Sequence, residues 1–79
     1  MNILDIRESK IKSYLKFLND HGATSKARAV KIDDVERAMR MDDTLFDEIT
    51  KYVVSSGFAT RTPPKSIYLT KQGVVKVKG

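Results

Sequence analysis

Two adjacent prolines, Pro63-Pro64, stand between two short β-prone runs, Phe58 to Thr62 and Ser66 to Thr70. Proline fixes φ and has no N–H to give a sheet ladder, so neither residue fits inside a strand. Pro63-Pro64-Lys65 is therefore the turn of a hairpin over about 58–70, with its tip exposed. In the second run Ile67 and Leu69 share one face and Tyr68 and Thr70 the other. The hairpin lies in a stretch of one-sided charge. Residues 49–79 carry Lys51, Arg61, Lys65, Lys71, Lys76 and Lys78 and no carboxylate, whereas residues 1–48 set nine basic residues against ten acidic ones. The net charge of +5 is concentrated in the C-terminal part, and a compact basic surface is the electrostatic footprint of a protein that meets phosphates.

Upstream of the hairpin the apolar spacing is helical. Ile11, Tyr14, Leu15 and Leu18 recur at three and four residues, which predicts a first helix over about 5–21, closed by Gly22 in the left-handed conformation. A small polar loop follows, and Ala29-Val30-Lys31-Ile32 reads either as one short strand or as an extended lead-in. Asp33-Asp34-Val35-Glu36 fits a capping box, so a second helix is expected over about 34–41 with Val35, Ala38 and Met39 on its apolar side. Asp42 or Asp43 can cap a third helix over about 43–56, whose stripe of Leu45, Phe46, Ile49 and Val53 stops at Ser55-Ser56-Gly57. The last segment stays open: Val74, Val75 and Val77 favour a strand, while Leu69-Thr70-Lys71-Gln72-Gly73 can also cap a helix. Tyr14, Phe17, Phe46 and Phe58 are expected in the core. Tyr68 has three outlets: packing on helix one, facing a partner subunit, or approaching a nucleic acid.

A chain of 79 residues makes one domain, and one this small buries only about 60–65% of the surface its unfolded form exposes. With 41% hydrophobic and 32% charged residues it has the composition of a folded globular protein. Having no Cys, it has neither a disulfide framework nor a Cys-based zinc site, and packing must carry stability. The first residues lack the apolar run of a signal peptide and nothing approaches the ~18–20 apolar residues of a membrane span, so a cytoplasmic protein, nucleoid-associated if it meets DNA, with no membrane partner is expected. Catalysis has little support. His21 is the only histidine and falls at a helix end, where it suits the dipole better than a role as a base. No nucleophile elbow or glycine-rich phosphate loop occurs, and capping accounts for Asp33-Asp34 and Asp42-Asp43 before metal binding is needed. The expectation is a non-enzyme without metal, cofactor or small-molecule ligand.

The order of elements (helix, short extended piece, helix, tight turn, helix, hairpin) resembles that of a winged helix-turn-helix domain. Tyr52-Val53-Val54-Ser55-Ser56-Gly57-Phe58-Ala59-Thr60-Arg61 resembles the end of the recognition helix and the first wing strand of small prokaryotic and archaeal transcriptional regulators, including those of archaeal viruses and plasmids. Ile67-Tyr68-Leu69-Thr70-Lys71-Gln72-Gly73 is similar to the signature that closes the wing in many of them, leucine-threonine, two polar residues, glycine. The resemblance covers about Asp33 to Gly73 and implies an α+β fold of three helices plus a two- to three-stranded β-hairpin wing.

It also implies an interface with double-stranded DNA and a role in transcription regulation. The third helix would enter the major groove with Thr44, Asp47, Glu48, Lys51, Tyr52 and Ser55 outward, and the wing would reach the flanking backbone with Arg61, Thr62, Lys65 and Ser66. Asp47 and Glu48 depart from the usual neutral or basic recognition helix: a carboxylate helps there only by accepting from a cytosine amino group or by holding a neighbouring cation. Lys26, Arg28 and Lys31 are secondary backbone contacts. One such domain makes few contacts, so a homodimer is expected, through helix one (Phe17, Ile3, Leu4) or the Val74-Val75-Val77 tail. Two other readings stay open: a winged-helix protein-docking module in a transcription, replication or translation assembly, favoured by Asp47 and Glu48, and an RNA or ribosome binder.

Overall fold

The computed structural model describes residues 3–78, with side chains from Glu8 onward. Among the described residues the helices are α1 (Ile3–Asp20), α2 (Ile32–Met39), α3 (Asp43–Ser55) and α4 (Lys71–Lys78). The strands are β1 (Val30–Lys31), β2 (Ala59–Thr62) and β3 (Ser66–Leu69), and a 3-10 turn spans Lys26–Arg28. The fold is α+β, four helices on a three-stranded antiparallel sheet of order β1-β3-β2. The helix beyond the expected three is α4, the segment that sequence left open between strand and helix.

Both expected glycine stops are present. Gly22 (φ 67°) and Gly57 (φ 82°) turn the chain left-handed after α1 and α3. Each stop carries the paired bonds that satisfy a helix's last carbonyls: Ala23 N–H to Leu18 O and Gly22 N–H to Asn19 O, then Phe58 N–H to Val53 O and Gly57 N–H to Val54 O. Asp42 caps α3, its carboxylate accepting from the amides of Thr44 (3.0 Å) and Leu45 (3.4 Å).

The start of α2 differs from the capping box. The helix spans Ile32–Met39, two residues earlier than expected at each end, its N-cap residue is Lys31, and no side chain caps it. The reason lies in the sheet. Lys31 pairs with Ser66, and the Ile32 amide donates to the carbonyl of Lys65, the last residue of the hairpin turn, at 2.9 Å, so the strand feeds straight into the helix and the neighbouring hairpin satisfies the first orphan amide. Asp33 and Asp34 then fall in the first turn, where negative charge favours the helix dipole. The apolar side of α2 is Ile32, Val35 and Met39; Ala38 is exposed, contrary to the expected stripe.

Helix α4 is anchored by the leucine-threonine-glycine run. The Thr70 hydroxyl donates to Gly57 O at 2.5 Å and accepts from the Gly73 amide at 3.1 Å, tying the end of α3 to the start of α4. Gly73 is required here for space. A β-carbon at 73 would lie 2.6 Å from Leu69 Cδ1 and would collide with the Phe58 carbonyl oxygen.

The core joins Ile11, Tyr14, Leu15 and Leu18 of α1 to Val35, to Phe46, Ile49 and Val53 of α3, and to Ile67 and Leu69 of β3. Tyr14 stacks on Phe46 with ring centroids 5.5 Å apart, and its hydroxyl shares a 3.1 Å hydrogen bond with Thr50, a buried polar residue absent from the expected stripe. Phe17 and Phe58 are half-buried against this core, and so are Val74 and Val77 of α4.

Candidate nucleic-acid interface

Thr44, Asp47, Glu48, Lys51, Tyr52 and Ser55 are all exposed on α3, because the buried positions Phe46, Ile49, Thr50 and Val53 take the opposite side. Asp47 holds Lys51: carboxylate and ammonium lie 3.0 Å apart at i, i+4. The Ser55 hydroxyl donates back to the Tyr52 carbonyl at 3.1 Å, which leaves its oxygen as an acceptor for a ligand. Tyr52 is 47% exposed, one of two large apolar side chains open to solvent among the described residues.

The hairpin is two-sided, and this divides the four expected wing residues. Thr62 pairs with Ser66 and Arg61 with Ile67. Residues paired across strands share a face, so Arg61 lies on the face of the buried Ile67, toward the helices, while Thr62 and Ser66 lie on the outer face with Lys31. Arg61 reaches the rim of the core. Burial pushes the Tyr14 hydroxyl above its ordinary pKa, and the Thr50 hydrogen bond and the Arg61 charge pull it part of the way back. Lys65 stands at the turn between two shallow hollows. One, of about 330 Å³, is lined by Ile32 and by Arg61 through Ser66; the other, of about 350 Å³, by Lys31, Asp33, Pro64, Lys65 and Ser66.

Lys26 and Arg28 are exposed in the 3-10 turn beside β3. None of Lys26, Arg28, Lys31, Arg61 and Lys65 forms an ion pair among the described residues. Lys76, by contrast, pairs with Glu8 of α1 at 3.3 Å and lies 6.0 Å from the centre of the Phe58 ring. That tie is invisible in sequence, since nothing before folding brings residues 8 and 76 together.

Along the chain the carboxylates are concentrated in another stretch. Residues 32–55, containing α2 and α3, hold seven carboxylates and three cations. The surfaces named for a dimer are largely spent within one chain: Ile11, Tyr14, Leu15 and Leu18 are buried and Phe17 packs on the core, stacked on His21 at 4.1 Å. The side chains of Ile3 and Leu4 lie outside the described residues. On α4 only Val75, 69% exposed, is a large apolar side chain open to solvent. The His21 ring nitrogen Nδ1 sits 3.0 Å from the Phe17 carbonyl oxygen, one residue past the end of α1. No helix among the described residues is long and apolar enough to cross a membrane. No family model, curated protein or solved structure matches the chain.

Proposed function

We propose that this chain is a winged-helix protein that binds double-stranded DNA and regulates transcription, with α3 in the major groove and the β2–β3 hairpin on the adjacent backbone. The observation that carries this is the pair of hairpin cations, Arg61 within β2 and Lys65 at the proline turn, both exposed and without a carboxylate partner among the described residues. An unpaired cation on a rigid support loses little side-chain freedom on meeting a phosphate, and it releases a counterion from the DNA when it does. On α3, Asp47 is paired with Lys51, which offsets part of the repulsion that a carboxylate facing phosphates would cause. Lys26, Arg28 and Lys31 extend the phosphate track beyond the hairpin. Two copies acting on one site complete the proposal, because a single module of this size makes few contacts.

Fluorescence anisotropy on a random-sequence duplex of about 30 base pairs, at two salt concentrations, tests this. The wild-type chain should bind in a salt-sensitive way, with light scattering reporting the number of copies. Changing Arg61 and Lys65 together to Ala should weaken binding at every sequence and flatten the salt slope by up to about two. Unchanged affinity removes the hairpin from the account. A second reading is a docking module for a basic protein partner, favoured by the seven carboxylates against three cations in residues 32–55. Absence of duplex binding even at low salt would select it.

A further inference from the structure

The outer face of the sheet is chemically unlike the face that meets the helices. Its register sets Thr60 beside Tyr68, and Thr62 beside Ser66 and Lys31, in two rows across the strands. Successive same-face residues on a strand are roughly 6.6 Å apart, so the aromatic ring and the hydroxyl row lie within one nucleotide's reach. Thr60 and Lys31 are exposed, Thr62 and Ser66 are half-buried, and Tyr68 is half-buried and in part packed against the core. Next to them is the hollow of about 350 Å³ lined by Lys31, Lys65, Ser66, Pro64 and Asp33. Asp33 is the one carboxylate in that lining, and neither lysine forms an ion pair among the described residues.

An aromatic ring beside hydroxyls and two unpaired cations is the chemistry that holds an unstacked nucleotide: every base has a face to stack, and every backbone unit has a phosphate. An intact duplex cannot use it, because its bases are stacked on one another and only their edges show. We infer that this face takes an unpaired nucleotide of single-stranded DNA, with its base stacked on Tyr68 and its phosphate in the Lys31–Lys65–Ser66 hollow. The inference goes beyond the duplex reading and rests on it only for the joint ligand, a duplex that ends in or opens into a single strand. Arg61 and α3 would hold the paired part on one side of the hairpin, and Tyr68 the unpaired part on the other.

Three probes separate the two claims: a blunt duplex of about 30 base pairs, the same duplex with a tail of about six thymidines, and the tail alone. The tail should raise affinity over the blunt duplex by roughly tenfold and should bind alone, weakly, with quenching of tyrosine fluorescence. Tyr68→Leu, which keeps apolar bulk in a half-buried position, should abolish the gain from the tail and leave blunt-duplex affinity unchanged. Tyr68→Phe should keep the gain. Lys31→Ala should reduce it. A tail that adds nothing, or a Tyr68→Leu variant that still profits from it, overturns the inference. Loss of blunt-duplex binding in the wild-type chain overturns the duplex reading instead, and the tail alone then still decides this one.

Discussion

Gly73 and Thr70 show how a short run of sequence acquires its meaning. The leucine-threonine-x-x-glycine pattern was readable as a possible helix cap, but its cause is a crowded junction of three backbone segments. Thr70 bridges the end of α3 to the start of α4, and Gly73 leaves room for the Phe58 carbonyl and the Leu69 side chain. Gly73→Ala should therefore cost about 2–3 kcal/mol, read as a lower urea midpoint, although alanine is the better helix former. An unshifted midpoint would show that α4 can move away from Phe58 at no cost. Thr50 illustrates the opposite case. Its burial was not legible, because threonine in an amphipathic helix usually marks the polar side; only the partner hydroxyl of Tyr14, 36 positions away, makes the inside tolerable.

Among the elements, α3 was the most legible, since its cap, its apolar stripe and its glycine stop all lie within the helix and its immediate neighbours. Helix α2 was read two residues late because the group that satisfies its first amide belongs to Lys65, in the turn of a distant hairpin. The α2–α3 junction carries its own electrostatic signature. A hydrogen bond with Asp43 raises the pKa of Glu36 above the ordinary carboxylate value, with desolvation and the charges of Asp43 and Asp33 acting in the same direction. A proton held more tightly in the folded state stabilises it below the unfolded pKa, and that contribution is lost as pH rises through the raised value. At neutral pH the paired carboxylates repel. Glu36→Gln should accordingly raise the thermal midpoint at about pH 7 and leave it nearly unchanged at about pH 4. A gain that is equal at both pH values would mean that Glu36 and Asp43 do not interact.

On the scale of the whole molecule, the charge boundary in sequence is crossed in space, since Lys76 pairs with Glu8 and Asp33 lines a hollow with Lys65, and it does not follow the functional halves that the resemblance implies. The acid-rich segment contains the helix proposed for the major groove, so affinity should be limited by α3. Asp47→Asn would release Lys51 and remove a carboxylate facing the DNA; duplex binding should tighten several-fold at low salt, with a salt slope steeper by up to about one. Weaker binding would mean that Asp47 is needed to aim Lys51. The division of the hairpin into two faces, with Arg61 opposite Thr62 and Ser66, was implicit in the period-2 alternation. It needed the register to become visible, because the turn length decides which residues stand side by side. The same register has a kinetic side. The seam between β2 and β3 closes over three residues, that between β1 and β3 over 34. Loop-closure entropy sets the two seams about 2 kcal/mol apart, and only two residues of β1 stand against the larger cost. Strand β3 is thus stitched on one side by its near neighbour in the chain and on the other by a distant segment, which draws α2 and α3 in as the sheet completes.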